Sequence, residues 1–585
     1  MAPPAHHAAV GGAAVLIAAL VGALAWNELR TEPDPAAPTL ASATAMPGAL
    51  APGSSWSNVV RTDYVGPATC GSCHAANHEA WKKHPHRFMN QTVSDAAVVG
   101  DFSGVEIAYQ GFHGAGRNDT PSGRARFHRE DSEYLVSFFT PESEYVRRYR
   151  VTRTVGSRVE QMYIGVQVDG PEAKDDDVYT VERRLPFGWD VHGRRWLTVP
   201  YFDEDYTVDA EGTSHKDPRS TLLLDDWDGC MVCHNTYPYE KRLQLPSKQS
   251  QGFSREDMRG PMSASIKGAK LHEDELVTLG ISCEACHLGG REHAEHGAKI
   301  RFVPGNANLA VSNPALTSFQ GAEYKNPFVV NSLCGQCHGR KRPQWPDGGS
   351  TTNSSEAFDM QGACAGQLKC TDCHNPHVAG PRLGSGGPDD PKHLATCTSC
   401  HQKYASESGA TAHGRHPVSA GVTCMDCHMP RIVGGLTVIT RTHRVNSPTD
   451  PRAYTAGTPN ACNLCHLDRS FGWTMDALAA GWGVRVDAPR PPEVASGLVW
   501  SNSPALIVRQ VAAEALSRHR MGGESPQGAL LGILLEEYPR TRYLGLKSVE
   551  RLLGRPLSIE EYDVAAPLAT RRAQVEALRR MPQAH

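Results

Sequence analysis

The sequence has no excess of charge of either sign and few aromatic side chains. Lysine and arginine number 59 against 63 aspartates and glutamates, and phenylalanine, tryptophan and tyrosine together make up 7% of the chain. A chain so close to neutrality lacks the strongly basic surface that nucleic acid binding requires. Glycine (55) and proline (41) are plentiful instead, which predicts short elements joined by many turns.

A long hydrophobic run occurs only at the start. Residues 8–26 carry no charge over 19 positions, close to the ~20 residues that span a bilayer. No lysine or arginine precedes this run, and Ala23-Leu24-Ala25 offers a small-residue cleavage site. Residues 1–30 are therefore either a signal peptide or a retained membrane anchor, and the Pro/Ala/Ser/Thr-rich residues 31–56 are predicted to be a flexible linker. Either leader predicts an exported chain, periplasmic or otherwise extracytoplasmic.

Only one cysteine lies outside a single repeated motif. Sixteen of the 17 cysteines belong to eight copies of Cys-x-x-Cys-His. In chain order the motifs are Cys70/Cys73/His74, Cys230/Cys233/His234, Cys283/Cys286/His287, Cys334/Cys337/His338, Cys370/Cys373/His374, Cys397/Cys400/His401, Cys424/Cys427/His428 and Cys462/Cys465/His466.

This motif is typical of covalent haem attachment. Two thiols form thioethers with the haem vinyl groups, and the adjacent histidine binds the iron as proximal ligand. A disulfide framework, a zinc site or a redox dithiol would not place a histidine after every pair. The sequence therefore predicts eight covalently bound haem c groups. The remaining cysteine, Cys364, is expected to be a small buried side chain.

The motifs are closely spaced in the second half of the chain. Seven occur within the 237 residues from Cys230 to His466, about 34 residues per haem, and the first cysteines of motifs five, six and seven are 27 residues apart. Even a ~60-residue domain has a marginal core, so the haems must share walls and lie close together, as electron transfer requires. Asp372 and Asp426 occupy the same position in motifs five and seven, which predicts equivalent sites with motif six between them.

A 155-residue segment between His74 and Cys230 has no haem motif and a different pattern. Turn signals occur at Gly170-Pro171 and Pro186-Phe187-Gly188. The interpretation is a small antiparallel β region inserted over residues 100–200, which covers the haem stack or docks a partner. β-branched and aromatic alternation predicts strands at Val105–Tyr109, Tyr134–Phe139, Tyr145–Thr152, Gln161–Val168 and Val178–Arg183.

Helical patterns flank this segment. Good helix formers follow His74 until Pro85. Residues 503–554 show helical periodicity in two stretches that begin near Pro504 and Pro539 and resemble HEAT-like units. We expect their apolar positions Val508, Val511, Ala512 and Leu516 to form a core. The predicted fold is a mainly α or irregular haem-packed domain over 57–475, containing the β insertion, and a C-terminal α-helical segment over 490–585.

The remaining histidines decide how the irons are used. Of 27 histidines, eight are proximal and fifteen others lie in the haem region, enough for a second imidazole on every iron. Two axial imidazoles suit electron transfer, whereas an open position suits chemistry. His377 follows His374 by three residues and is expected to reach a neighbouring haem instead. The candidates are His78, His84, His86, His293, His296, His377, His413, His416 and His443.

The motif contexts carry a resemblance. The stretches GISCEACHLGGREH (280–293), CTDCHNPH (370–377) and TPNACNLCHLDRS (458–470) resemble a family of exported bacterial multihaem, or octahaem, c-type cytochromes with C-terminal HEAT or tetratricopeptide-like repeats. The resemblance implies that the distal ligands are His86, His293, His377, His413 or His416, and His443. No Cys-x-x-Cys-Lys occurs, so the lysine-ligated haem of multihaem nitrite reductases is not indicated.

The favoured function is electron transfer between redox partner proteins, with a membrane electron donor as one option. The alternative is an oxidoreductase that acts on a small nitrogen or sulfur compound at one open haem, and a conducting filament is a third interpretation. The sequence supplies no catalytic residues around a specific haem, and it indicates neither oligomeric state nor haem potentials.

Overall fold

The structure is a computed structural model that describes most of the chain after residue 55. The predicted leader at 8–26, the linker up to residue 55 and Cys230 lie outside the described residues. The described residues are 56–109, 123–140, 142–198, 207–208, 214–215, 231–243, 258–259, 272–311, 313, 326–360, 364, 366–379, 391–519, 526–536 and 539–580.

An antiparallel sheet of eight strands occupies the predicted β region. Strands β2 to β8 pair in chain order, each with the next, and β1 pairs with β5. The sheet strands are β1 (Gln91–Thr92), β2 (Val105–Tyr109), β3 (Gly123–Glu130), β4 (Glu133–Phe139), β5 (Tyr145–Val155), β6 (Glu160–Asp169), β7 (Arg183–Asp190) and β8 (Arg195–Thr198). Four two-stranded pairs lie elsewhere: β9 (Thr207–Val208) with β10 (Ser214–His215), β11 (Asn235–Thr236) with β13 (Thr278–Leu279), β12 (Met258–Arg259) with β14 (Ala310–Val311), and β15 (Arg431–Gly434) with β16 (Ile439–Arg441).

Alternation along the strands gives this sheet one aromatic face. Phe127 of β3 stacks on Trp196 of β8, with ring centroids 3.7 Å apart and planes 7° apart. Phe102 and Phe187 meet Phe127 edge to face. The inward residues bury a continuous aromatic cluster, so the sheet has a core of its own.

Two details of the predicted β region were wrong. Val178 lies in a 3-10 helix, Asp177–Tyr179, and the strand begins only at Arg183. Pro186 lies inside β7 rather than in a turn. The pairing of β6 with β7 shifts register opposite Pro186, between Met162 and Ile164, because a proline without an N–H is accommodated where ladder hydrogen bonding is interrupted. The charged strand β3 was not predicted.

Short helices make up most of the remainder. The helix after His74 ends before Pro85, as its sequence predicts. The α-helices are α1 (Pro67–Cys73), α2 (Ala75–Trp81), α3 (Met231–His234), α4 (Tyr239–Arg242), α5 (Glu284–His287), α6 (Arg291–His296), α7 (Pro327–His338), α8 (Glu356–Asp359), α9 (Cys370–Cys373), α10 (Pro391–Cys400), α11 (Glu407–Gly414), α12 (Cys424–His428), α13 (Pro451–Ala456), α14 (Phe471–Trp482), α15 (Ser496–Ser501), α16 (Leu506–Arg518), α17 (Pro526–Gly532), α18 (Pro539–Leu553) and α19 (Leu568–Arg579).

The C-terminal helices share one apolar core. Helices α16 and α18 pack side by side, and Val508, Val511, Ala512 and Leu516 are all buried, as their spacing predicts. The same cluster includes Trp500, whose indole N–H donates to the carbonyl of Gly457 at 3.0 Å. The assignment of these helices to HEAT-like repeats stays a prediction.

Buried ion pairs join the sheet to the C-terminal helices. Arg540 of α18 contacts Glu160 of β6 at 2.6 Å, and Lys547 contacts Asp190 of β7 at 3.0 Å. The side chains of Glu160 and Asp190 are fully buried. Because an unpaired buried charge is costly, these contacts fix how the helices lie on the sheet. Within the described residues, we find no helix with the length and apolar character of a membrane span.

Candidate haem-binding sites

Each described haem motif lies on a helical turn. The motif histidine donates its backbone N–H to the carbonyl of the first cysteine at 2.9–3.0 Å in five motifs, namely His74 to Cys70, His287 to Cys283, His374 to Cys370, His401 to Cys397 and His466 to Cys462. Motifs four and seven end helices α7 and α12. Side chains at positions i, i+3 and i+4 share a helix face, so one turn presents two thiols and an imidazole to the same side.

The thiols are available for attachment. None of the sixteen cysteines within the described residues forms a disulfide. The prediction that Cys364 is buried was wrong: it is partly exposed, because it lies in a turn ahead of α9. The backbone N–H groups of Gln367 and Leu368 close that turn on the Cys364 carbonyl, both at 3.0 Å.

The helices around motifs five to seven have almost no core of their own. Among the described residues from 366 to 430, Met425 alone is buried. Short helices are held by the packing of their apolar faces rather than by propensity. A large apolar group between these helices would supply the missing contacts, so the porphyrin of haem fits this region.

Five proximal histidines face a second histidine at nearly one distance. The ring centroids are 6.0–6.2 Å apart, with interplanar angles from 2° to 31°. The pairs are His74 with His293, His287 with His377, His374 with His443, His428 with His413, and His466 with His416.

This separation matches two imidazoles on one metal. A metal ion holds an imidazole nitrogen at about 2 Å, and the ring centre lies about 1 Å farther out, so two rings on opposite sides of one ion have centres about 6 Å apart. Haem iron needs only two protein ligands because the porphyrin supplies the others. No group of three or more His, Cys, Asp or Glu side chains in the described part of the chain is arranged to hold a metal. The donor set therefore fits haem.

Hydrogen bonds orient several of these rings. The Nδ1–H groups of His234 and His428 donate to the carbonyls of Met89 (3.1 Å) and Asn446 (2.9 Å). His293 and His416 use Nδ1 in the same way, at 2.8 Å and 2.7 Å. Histidines that bind metals through one nitrogen regularly donate the other N–H to an oxygen. In these four residues, Nε2 is left to bind iron.

Two histidines have a lowered pKa, which favours the neutral form that binds metal. Partial desolvation lowers the pKa of His374 to about 4, and the charges of His443 and His393 contribute. The pKa of His86 falls to about 3 for the same reason, with His84 and His338 contributing. A histidine with so low a pKa is neutral at pH 7, so no proton competes with the metal.

Contacts between thiols place the motifs beside one another. The thiols of three pairs interact so that the pKa of one is raised and that of the other is lowered, namely Cys70 and Cys283 in motifs one and three, Cys337 and Cys233 in motifs four and two, and Cys334 and Cys370 in motifs four and five. The charge of Cys286 in motif three also raises the pKa of both motif-four cysteines. Motif four therefore has motifs two, three and five as neighbours.

Motif six lies between motifs five and seven. Burial raises the pKa of Cys397, and the charges of Cys424 and Cys373 add to the shift. Motifs five and seven also begin alike. Asp372 accepts the backbone N–H of Lys369 at 2.9 Å, and Asp426 accepts that of Thr423 at 2.8 Å. The arrangement agrees with the expected order of the three motifs.

Glu284 fastens motif three to the start of motif one. Its buried carboxylate accepts the backbone N–H groups of Val65 (3.0 Å), Gly66 (2.8 Å) and Gly290 (2.9 Å). Burial raises its pKa against the effect of these three donors. Because Gly66 caps helix α1, this single side chain sets the position of Cys70 and Cys73 relative to motif three.

Other predicted ligands are placed differently. His86 packs against His84 at 4.6 Å between ring centroids, rather than facing a proximal ring at 6 Å. His84 accepts the backbone N–H of His86 through Nδ1 at 3.1 Å. His78 stacks on Trp81, and His296 is exposed beside Glu295.

Motif six has an aromatic neighbour of another kind. The ring of Tyr404 lies 6.3 Å from that of His401, with 25° between the planes, and it stacks on His413 at 4.3 Å. His413 in turn faces His428 of motif seven. Tyr404 thus lies between His401 of motif six and His413, the histidine that faces motif seven.

Sequence reasoning missed two further side chains that contact motif histidines. His393 lies 5.9 Å from His374 at a 59° interplanar angle, but its Nε2 is hydrogen-bonded to the carbonyl of Cys373 at 3.0 Å. Glu356 accepts a hydrogen bond from His338 Nδ1 at 3.2 Å. Neither residue stands at a motif offset, so no sequence signal distinguishes it.

Comparison with known proteins adds one family match. Residues 406–473 match the family model for cytochrome c552, and this stretch holds motifs seven and eight. No curated protein matches the sequence. Together with the repeated motif, the family match supports a multihaem c-type cytochrome with covalently bound haem c.

Two solved structures are similar at a low level. The crystal structure of outer cell wall cytochrome OcwA aligns with 88% of this chain and 100% of its own, at 16% identity and a TM-score of 0.35. Octahaem sulfite reductase MccA of Wolinella succinogenes, form II, aligns with 67% of this chain and 56% of its own, at 14% identity and a TM-score of 0.29.

Proposed function

We propose that this protein binds eight haem c groups and carries electrons between redox partners outside the cytoplasm. The observation that supports this most directly is the set of five histidine pairs at 6.0–6.2 Å, each joining a motif histidine to a histidine from elsewhere in the chain. When bound, haem c supplies reversible one-electron chemistry at its iron, and closely spaced haems exchange electrons.

The side chains have three roles in this proposal. The motif cysteines tether each porphyrin, the motif histidines are proximal ligands, and His293, His377, His413, His416 and His443 are distal ligands. Pairing a motif with a histidine from another part of the chain cross-links the structure. His293 of α6 lies beyond motif three but serves motif one, and His377 lies beyond motif five but serves motif three.

The thiol contacts support a continuous route. Motifs one and three, three and four, four and five, five and six, and six and seven are neighbours through their cysteines. Burial raises the pKa of Cys462, and the charge of Cys427 adds to the shift, which extends the route to motif eight. Cysteines of successive motifs are close enough to change one another's pKa, which favours a close approach of the groups that they tether.

A haem count and a reductive titration test the proposal. Protein matured with haem is expected to carry eight haems per chain by pyridine haemochrome absorbance, and to take up eight electrons from dithionite. A count below eight, or haem that cannot be reduced by a small cytochrome or quinol analogue, would contradict it. Fractionation of cells tests the extracytoplasmic location separately.

A second function is favoured by the surroundings of His401. Its described aromatic neighbour is Tyr404 rather than a histidine, so the described residues place no second imidazole opposite His401, as an iron that binds substrate would require. In this alternative the protein is an oxidoreductase that acts on a small nitrogen or sulfur compound. Nitrite, hydroxylamine or sulfite would then shift a high-spin ferric spectrum. A spectrum that stays unchanged with all three compounds would rule the alternative out.

A further inference from the structure

We propose that Glu356 is a positioning residue that lowers the reduction potential of the haem held by His338. The inference rests on the proposed function, because it requires haem at motif four. It goes further by assigning one haem a distinct potential and one side chain as the cause.

The contact between Glu356 and His338 involves one nitrogen of the imidazole ring, Nδ1. His338 ends helix α7, and its Nδ1 lies 3.2 Å from Glu356 Oε2 at the start of α8. Nε2 is therefore the nitrogen that remains for iron. The two residues are 18 positions apart, and α7 packs against α8, so the tertiary fold brings them together.

The carboxylate is held in place by the loop before α8. Its second oxygen, Oε1, accepts the backbone N–H of Ser354 at 3.1 Å. Ser354 has a φ of +67°, an uncommon conformation for a residue with a side chain. Its carbonyl accepts the N–H of Arg340 at 2.9 Å, two residues after His338. The loop thus closes back on α7 and aims the carboxylate at the imidazole.

Two other motif histidines, His234 and His428, have weaker partners. His234 and His428 donate Nδ1–H to neutral backbone carbonyls. A carboxylate partner draws the Nδ1 proton more strongly and makes the ligating nitrogen a better electron donor. A stronger donor stabilises ferric over ferrous iron, because the ferric ion carries the larger charge. The haem of motif four should therefore be harder to reduce than those of motifs two and seven.

The location makes this potential matter. Motif four has cysteine neighbours in motifs two, three and five. If the haem of motif four has the lower reduction potential, an electron is more stable on the haems of the three neighbouring motifs than on motif four. Glu356 would thus influence how electrons divide between motif two and the route from motif three to motif five.

Spectroelectrochemical titration of the haem-loaded protein tests the proposal. Glu356→Gln keeps a hydrogen-bond acceptor but removes the charge. We expect the midpoint potential of one haem to rise by at least about 59 mV, a tenfold change in its oxidised-to-reduced ratio, while the other haems move much less. The EPR signal of that same haem should shift as well.

Asp359→Asn is the matched control. Asp359 lies on the same short helix and is buried, but it accepts hydrogen bonds from Ser350 instead of a histidine. The control should leave the potential of every haem within a few millivolts of its starting value, about a tenth of the expected shift. Equal shifts in both variants, or no shift in Glu356→Gln, would overturn the inference. A haem count below eight in the unaltered protein would instead count against the proposed function.

Discussion

The sheet and the region of motifs five to seven are built in opposite ways. The sheet buries Phe127, Phe187, Trp196 and their aromatic neighbours against one another. From residue 366 to 430, by contrast, Met425 is the one buried residue in the described part. The sheet therefore has enough apolar contacts to define its own fold. The motif region has the helices and the ligands but not the core, and haem must supply it.

The overall aromatic content is consistent with this division. Among the described residues, contacts between phenylalanine, tyrosine and tryptophan rings lie almost entirely within residues 102–196. The motif region instead brings imidazoles together at the distance that iron between them would set. The low average aromatic content therefore combines an aromatic-rich sheet with a motif region that has few aromatic contacts and depends on a cofactor.

The largest expected effect comes from withholding haem. In the full chain produced without haem attachment, residues 366–430 should exchange their amide hydrogens at nearly the unfolded rate. Strands β3 to β7 should stay protected, because their core is made of protein alone. Hydrogen exchange with mass spectrometry measures both regions in one sample, and the haem-loaded chain is the control. Equal protection of the two regions from hydrogen exchange in the haem-free chain would contradict the claim that only the motif region depends on haem.

Removal of one aromatic side chain should damage only the sheet. Trp196→Ala deletes the partner of Phe127 and the N–H donor to Asp101, and large-to-small changes of this kind cost about 3–5 kcal/mol. Urea unfolding followed by tryptophan fluorescence gives the free energy of unfolding. Haem content should not change. Tyr145→Ala, at an exposed position of the same sheet, should cost less than about 1 kcal/mol.

The junction between the sheet and the C-terminal helices should be acid-sensitive. Burial opposes ionisation of Asp190, but the charge of Lys547 and the hydrogen bond from Tyr543 outweigh it and lower the pKa of Asp190. A carboxyl group with a lower pKa in the folded state adds stability above its unfolded pKa. That stability is lost as the pH falls through the folded value.

Lys547→Met should make this loss begin at a higher pH. Without the ammonium group, the pKa of Asp190 rises, and stability at pH 7 should fall by about 1–3 kcal/mol because a buried charge has lost a partner. Urea midpoints between pH 3 and pH 7 measure both effects. A variant with the same acid profile as the unaltered protein would show that the pair does not hold the junction together.

The smallest change is confined to one haem. His293→Ala should remove the distal ligand opposite His74 and convert one haem of eight to a high-spin form, with global stability little affected. His296→Ala is the control, because His296 lies on the same helix but beside Glu295, whereas His293 faces His74. EPR of the oxidised protein quantifies the high-spin signal. Equal signals from the two variants would contradict the pairing of His293 with His74.

Much of this architecture could be predicted from local spacing. The Cys-x-x-Cys-His offset identifies the haem motifs, and the structure places each described motif on a helical turn. Strand β2 spans Val105–Tyr109, as its alternation predicts. The apolar stripe of α16 is buried for the same reason. Each of these features depends on residues within one or two turns of each other.

The rest depends on contacts that local patterns do not encode. Strand β3 carries arginines on its outer face, one of which pairs with Glu106, so its sequence does not look like a strand. Glu356 and His393 have no distinguishing sequence signal, because only the tertiary fold brings each of them close to a motif histidine. Which distal histidine faces which motif follows from the packing of helices that are far apart in sequence. His377 was expected to serve a neighbouring haem, and it lies opposite His287.

The most direct test of the central claim is EPR spin quantification on the fully oxidised, haem-loaded protein. Five proximal histidines have a facing imidazole at 6.0–6.2 Å. We therefore expect at least five haems per chain to be low-spin with two nitrogen ligands. A spectrum in which fewer than five haems per chain are low-spin would contradict it.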